Sequence, residues 1–268
     1  MAMVDRTSAC SSPPTSEAGR SRAPSRPEQA QAPVAVLMPV RDDVRVLCGT
    51  LAALRACAPQ LGGVTVFLVD DGSEPAIDPG ALPGPSPEFR IVLARHVVNL
   101  GQGAALETAR QLALAHPTRF RAYVTMDADG QHRATDVAAL ALAIEQGGDV
   151  AFGNRFMGHS NVPPGRRAVL FCARWFERAL TGLRLADAHN GFRAFSRAAL
   201  ERVVIRQNRM AHATEIKQRV SRAPALRVVE VPVSVRYSRE TLAKGQRSLG
   251  AATIASDLLL QYLFGDSP

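Results

Sequence analysis

The sequence predicts an α/β protein built on a mostly parallel sheet with helices on both faces. Three observations point there. Short β-rich runs alternate with helical stretches from residue 33 to about residue 152. The first of those runs is apolar throughout, as a strand covered on both faces requires. The chain, 268 residues at 46% hydrophobic and 21% charged, is long enough to bury one large core. Strands alternating with helices imply crossover connections, and hence a parallel sheet.

The elements follow in order. Residues 34–39 read as a buried strand. Residues 44–56 carry Val44, Leu47, Leu51 and Leu54 at helical spacing. Residues 64–69 form a second buried strand, ending in Asp70-Asp71-Gly72-Ser73. A Pro/Gly-rich loop over 74–87 leads to a third strand at 89–93. Residues 104–115 are helical, 122–126 a fourth strand, 136–145 a helix and 150–152 a short fifth strand. Beyond Gly153 the rhythm changes. A long apolar helix is expected over 166–183, a short strand at 192–195 and a helix at 213–221. The strand expected at 228–236 contains Pro232, which marks an edge or a bulge. A final helix covers 251–264.

The first 32 residues are Ser, Pro, Ala and Arg without an apolar run, and are expected to be a disordered tail. They contain no stretch resembling a signal peptide's apolar core. No segment reaches the roughly 20 apolar residues of a membrane span. The nearest, residues 254–264, holds Asp257 and Gln261. The four cysteines (Cys10, Cys48, Cys57, Cys172) form no Cys-x-x-Cys pair, which argues against a disulfide framework or a thiolate zinc site.

The formal charge of +8 is unevenly placed. Residues 33–154 carry nine Arg against thirteen acids, whereas residues 155–250 carry nineteen basic residues against six acids. All but Lys217 and Lys244 of the basic residues are Arg. A basic back half implies an anionic partner: nucleic acid, a membrane surface or phosphate-bearing substrates.

In open α/β sheets ligands bind beyond the carboxyl ends of the strands. This sequence puts its polar clusters there. Asp70 and Asp71 follow the second strand, Asn99, Gly101 and Gly103 the third, Asp127 and Asp129 the fourth. Asp127-Ala128-Asp129-Gly130-Gln131-His132 is the strongest element, because alternate carboxylates leaving a strand suit a hard divalent ion shared with phosphate oxygens. Its bland explanation is an Asx turn with solvated acids. Asp70 and Asp71 are costly if buried unpaired; a nucleotide N–H or hydroxyl would satisfy one of them. Asn99-Leu100-Gly101-Gln102-Gly103 alone is a weak signal, since a helix-entry turn also explains it. His132, His189 and His212 are expected to be loop or core residues, and Glu215 a surface ion pair with Lys217.

These segments, in this order, resemble the family 2 glycosyltransferases of the GT-A fold, over about residues 33–264. The carriers are Val36-Leu37-Met38-Pro39-Val40, the Asp-Asp-Gly-Ser run, Asn99-Leu100-Gly101, Asp127 to His132, Gly153-Asn154-Arg155 and Asn190-Gly191-Phe192-Arg193-Ala194-Phe195. The branch resembled is that of the polyprenyl-phosphate mannose and glucose synthases. The resemblance implies a GT-A domain over 33–250 and an amphipathic C-terminal helix over 251–268. It implies nucleotide-sugar contacts from Pro39, Asp71, Asn99, Gly101 and Asp127. It implies Mg²⁺ or Mn²⁺ held by Asp127, Asp129 and Gln131, with Arg155 and Arg166 facing the donor and acceptor phosphates. Residues 237–248 resemble a mobile arginine loop, for which Arg239 is the match; extra residues before Gly245 and the run Gln246-Arg247-Ser248 depart from the usual pattern there. The expected reaction is inverting transfer from a nucleotide sugar to polyprenyl phosphate, at the inner face of the cytoplasmic membrane.

A phosphate acceptor is already an anionic nucleophile and needs no strong base, only arginines to screen it from the donor. A saccharide hydroxyl acceptor would need a carboxylate base, for which Asp187 in the loop before Asn190 is the best candidate; a helix cap or a solvated loop acid explains it equally well. The helix over 166–183 places Arg167, Arg174 and Arg178 along one edge of an apolar body holding Trp175. That pattern suits either a lipid interface or a core helix with a solvated edge. A nucleotidyltransferase would need a glycine-rich loop after the first strand, where Pro39-Val40-Arg41-Asp42-Asp43 has none. A nucleic-acid-binding module would leave the acids at three strand ends without a purpose, so no nucleic-acid partner is expected. Oligomeric state is not legible.

Overall fold

The computed structural model describes residues 32–42, 44–158, 178, 181–187, 190–208 and 211–236. Residues 1–31 of the expected tail, most of the helix over 166–183, the 237–248 loop with Arg239, the C-terminal helix, Arg166 and His189 lie outside the described residues.

Seven strands form one sheet, in the order β3-β2-β1-β4-β6-β5-β7. The chain runs β1 (Val34–Val40), α1 (Val44–Cys57), β2 (Val64–Asp70), β3 (Phe89–Arg95), α2 (Gln102–Ala115), β4 (Ala122–Thr125), α3 (Asp136–Glu145) and β5 (Val150–Asn154). It continues with β6 (Arg193–Phe195), α4 (Arg197–Arg202), α5 (Ala211–Ser221) and β7 (Val228–Pro232). β1 pairs in parallel with β2 and β4, and β2 with β3. β6 departs from the parallel rule, running antiparallel between β4 and β5.

Alternate side chains of β1 feed two cores, which is why the run had to be apolar throughout. Val34, Val36 and Met38 pack with Leu47, Leu51 and Leu54 of α1 and with Val137 and Leu140 of α3. Ala35 and Leu37 pack on the other face with Ala105, Leu106 and Ala109 of α2, Leu200 of α4 and Ile216 of α5. The connection from β1 to β2 carries α1 over one face, and the connection from β3 to β4 carries α2 over the other. The strand order therefore reverses between β1 and β4, and a crevice opens above their carboxyl ends.

Most expected elements sit within a few residues of their places. The short helix α4 was not expected; Ser196 caps it by accepting from the Ala199 N–H at 3.2 Å. The strand expected over 228–236 stops at Pro232, which lies on β7 at the edge of the sheet. Pro has no N–H to offer a ladder, and an edge strand tolerates that. The helix expected to end at residue 183 is helical at Arg178 and Thr181 and ends at Gly182 (φ +73°), whose N–H reaches the Arg178 carbonyl. Among the described residues no helix is long and apolar enough to cross a membrane.

Candidate active site

The crevice is a cleft of about 710 Å³. Pro39, Val40 and Arg41 line it from β1, Asp71 from β2, Asn99, Gly101 and Gln102 from the loop into α2, and Asp127, Ala128 and Asp129 from β4. Six of the residues singled out from sequence thus meet in one cavity: Pro39, Asp71, Asn99, Gly101, Asp127 and Asp129. Arg41, Gln102 and Ala128 were not singled out, although each lies inside a motif that was.

The backbone around the cleft is held by close approaches. Gly72 (φ +71°) packs so tightly on the next loop that a Cβ there would lie 2.7 Å from the Asn99 nitrogen. A Cβ on Gly103 would lie 2.0 Å from the Gln207 carbonyl oxygen, so only glycine lets α2 start here. Asn208 then accepts from the Ala104 N–H at 2.9 Å, satisfying one of the helix's first amides.

The two acids at the end of β2 draw most of their partners from the protein itself. Asp70 accepts from the Ser73 N–H (2.9 Å) and the Ile77 N–H (3.3 Å) and pairs with Arg95 at 3.4 Å. This corrects the expectation that a nucleotide is needed to satisfy one of the pair: the loop itself supplies the donors. Asp71 accepts from His96 Nδ1 (2.8 Å), the Leu100 N–H (2.9 Å) and the Gly101 N–H (2.8 Å).

The acids after β4 are under-supplied by comparison. Asp127 receives Gln102 Nε2 at 2.9 Å. Asp129 receives the backbone N–H of Gln131 at 3.0 Å and its side-chain Nε2 at 2.7 Å. Burial raises the pKa of Asp127 above the ordinary value, against the opposing charges of Arg193, His212 and Arg155. Burial also raises Asp129, and the neighbouring charge of Asp127 raises it further. Two buried carboxylates, one of which disfavours the other's charge, form with the Gln131 side-chain oxygen an all-oxygen donor set of the kind a hard divalent cation takes. Among the described residues no three His, Cys, Asp or Glu side chains cluster as metal ligands. An ion here would therefore take two protein carboxylates and find its remaining oxygens elsewhere, a habit of Mg²⁺ beside phosphates.

Beneath the carboxylates lies a buried polar layer. His132 stacks on Phe192 (centroids 4.7 Å apart) and its Nε2 lies 3.2 Å from Asn190 Oδ1. Burial pushes its imidazole down to about 4, against the attraction of Asp129. It is a core histidine, as expected. Arg155 follows β5 and donates from both its backbone N–H (2.9 Å) and its Nε (2.6 Å) to Asp187 Oδ2. Asp187, a candidate base or loop acid from sequence, is buried in that ion pair. Glu230 of β7 holds the segment below, accepting from the Ala186 N–H at 2.9 Å.

Glu215 corrects another expectation. It is buried, not a surface partner of Lys217, and accepts from the Arg206 and Gln207 N–H groups (both 2.8 Å) while pairing with Arg219 at 2.7 Å. It fastens the segment that packs on Gly103. Arg193 and Asn190, both within the Asn-Gly-Phe-Arg run, join the site from below; no role was assigned to either from sequence.

A doubly wound sheet with a nucleotide-sized cleft and a carboxylate pair at its reversal point is the architecture of the GT-A glycosyltransferases. The chain belongs to glycosyl transferase family 2, whose model matches residues 35–204. It is 31% identical over 193 residues to polyprenol monophosphomannose synthase of Mycolicibacterium smegmatis, covering 69% of each chain. It is 26% identical over 235 residues to an uncharacterised protein of Methanocaldococcus jannaschii, covering 85% of this chain and 92% of the other. Glucosyl-3-phosphoglycerate synthase of Mycobacterium tuberculosis, solved with Mn²⁺, UDP and phosphoglyceric acid, superimposes with a TM-score of 0.58 at 17% identity, covering 89% of this chain and 81% of that one.

Proposed function

We propose that this glycosyltransferase moves a sugar, with inversion, from a nucleotide diphosphate sugar to polyprenyl phosphate. The observation that carries the reading is the single cleft in which Asp71, Asn99 and Gly101 face Asp127 and Asp129 across the end of β1. Pro39, Asp71, Asn99 and Gly101 hold the nucleoside end, and Asp127 the ribose and diphosphate side. Asp127, Asp129 and Gln131 would hold Mg²⁺ or Mn²⁺, which when bound neutralises charge developing on the departing diphosphate. Arg155 lies close enough for its charge to act on Asp127, and with Arg166 and Arg239 it serves the phosphates.

In the reaction an acceptor phosphate oxygen attacks the anomeric carbon. The new C–O bond forms on the face opposite the diphosphate, whose own C–O bond breaks and takes the electron pair away. The phosphate is ionised at neutral pH, so no side chain has to remove a proton. The burial of Asp187 in an ion pair with Arg155 supports this acceptor over a saccharide hydroxyl, because it takes the best candidate base out of use. A lipid acceptor would bring the protein to an anionic membrane surface, consistent with the Arg-rich back half, on the cytoplasmic side where nucleotide sugars are made.

The test is transfer of labelled sugar from UDP- and GDP-linked donors, with Mn²⁺, to undecaprenyl phosphate or to 3-phosphoglycerate. Label moving into the organic phase supports the lipid acceptor. Label confined to a phosphoglycerate product would replace it with a soluble phosphate acceptor, and no transfer to either would refute the phosphate reading.

A further inference from the structure

The loop after β3 carries a hydrogen-bonded chain that touches the cleft at one end only. His96 Nδ1 lies 2.8 Å from Asp71 Oδ1, and His96 Nε2 lies 2.9 Å from Thr108 Oγ1 on α2. An ionised carboxylate can only accept, so Nδ1 carries the proton and donates to Asp71. Nε2 bonds the Thr108 hydroxyl, which can donate to a bare ring nitrogen or accept from a protonated one. The carboxylate therefore sets which nitrogen carries the proton, and Thr108 anchors the far side of the ring.

Asp71 lines the cleft, and neither His96 nor Thr108 does. The chain therefore acts toward the carboxylate, not toward the hydroxyl. Asp71 has about four acceptor positions. His96 and the Leu100 N–H take two on Oδ1, and the Gly101 N–H takes one on Oδ2. One position on Oδ2 is left for a ligand. The two backbone donors belong to a loop that exposes Val97 (92%), Val98 and Leu100. His96 is better anchored: its own N–H extends the β2–β3 ladder to the Asp70 carbonyl at 2.8 Å, and its ring is fastened to α2.

We propose that His96, its ring anchored to α2 by Thr108, is a positioning residue for the nucleotide donor. It fixes the Asp71 carboxylate so that the remaining lone pair meets the nucleoside. This rests on the reading of Asp71 as a nucleoside contact, and the experiment separates the two.

The probes are UDP and GDP with Mn²⁺, titrated calorimetrically into the full-length chain. The expected result is that His96→Ala weakens binding of the preferred nucleotide about tenfold or more, the size of a lost charge-assisted bond. His96→Asn should remain within about threefold of the parent, because its amide nitrogen stands as many bonds from Cα as Nδ1 does. His96→Gln, whose nitrogen matches Nε2 instead, should bind as weakly as His96→Ala. Thr108→Val should cost about threefold. Asp71→Asn is the control. If Asp71→Asn binds like the parent, or the parent binds neither nucleotide, the reading of Asp71 fails and the proposal with it. If Asp71→Asn is weakened while His96→Ala is not, only the relay is overturned. If His96→Asn is no better than His96→Gln, His96 acts through loop packing and the proposal is wrong. That comparison decides even if the alanine variant fails to fold.

Discussion

Two pairs of aspartates stand at two strand ends beside one cleft, and the protein satisfies them very differently. Asp70 and Asp71 at the end of β2 are met by five N–H groups from four backbone amides and one histidine, and by Arg95. Asp127 and Asp129 after β4 share three donors, all from Gln102 and Gln131, and each is pushed toward its neutral form. The first pair organises the fold, with Asp71 keeping one lone pair toward the cleft. The second carries a negative potential that the protein itself leaves incompletely neutralised. Asp70, satisfied within its own loop, is structural; the acids that keep acceptor positions free, Asp71 among them, are those proposed to serve ligands.

The sharpest way to test this contrast is to remove one member of each pair. Asp129→Ala should lower the transfer rate by about 10²–10³-fold, the usual loss for a group that supports transition-state charge, measured with labelled donor and undecaprenyl phosphate. Full activity in that variant would sink the assignment. Asp70→Ala should instead destabilise the fold by about 2–4 kcal/mol, because it strands the buried Ser73 and Ile77 amides. Urea unfolding measures this, and an unchanged midpoint would show that the loop finds other partners.

A smaller effect of opposite sign is expected at Asp127. A carboxylate whose pKa is raised in the fold penalises the folded state at neutral pH. Asp127→Asn should therefore raise the melting temperature of the metal-free protein, by about 2–4 °C for each kcal/mol relieved, while Mn²⁺ should stabilise the parent and not the variant. A fall in melting temperature would contradict the picture of a carboxylate whose charge burial disfavours.

The last effect appears only on acidification and concerns His132. Its pKa is about 4 in the fold against 6.5 ordinarily, so between those values the unfolded chain binds a proton that the folded chain refuses. Stability should fall as pH drops from 6.5 toward 4, by up to about 1.4 kcal/mol per pH unit. His132→Gln should flatten that slope in denaturant titrations at successive pH values. An unchanged slope would assign the acid sensitivity to other groups.

Much of the fold was legible because it depends on local pattern. The apolar run of β1 announces a central strand, the glycine and turn residues mark the strand ends, and the alternation implies crossovers. The antiparallel β6 and the short α4 were not legible in the same way. Three residues of strand carry no direction, and α4 rests on one serine cap followed by six residues. At the site, Asp127, Asp129, Asp71, Asn99, Gly101 and Pro39 could be picked out from motif and strand-end position. Asp187 and Glu215 were misjudged, since a carboxylate in a loop or helix looks the same in sequence whether solvated or buried.

The sequence by itself determined that this chain folds as a doubly wound α/β protein with its acids gathered at one edge. Side-chain period, turn chemistry and strand-end placement all act over a few residues. Only the tertiary structure decided which acids are satisfied and what holds them. The partners come from far along the chain: Asp187 is 32 residues from Arg155, His96 is 25 from Asp71, and Asn208 is 104 from the amide it caps. No local pattern encodes such pairs. They exist because packing two cores around one sheet brings those loops into hydrogen-bonding distance, where a buried charge without a partner would be too costly to keep.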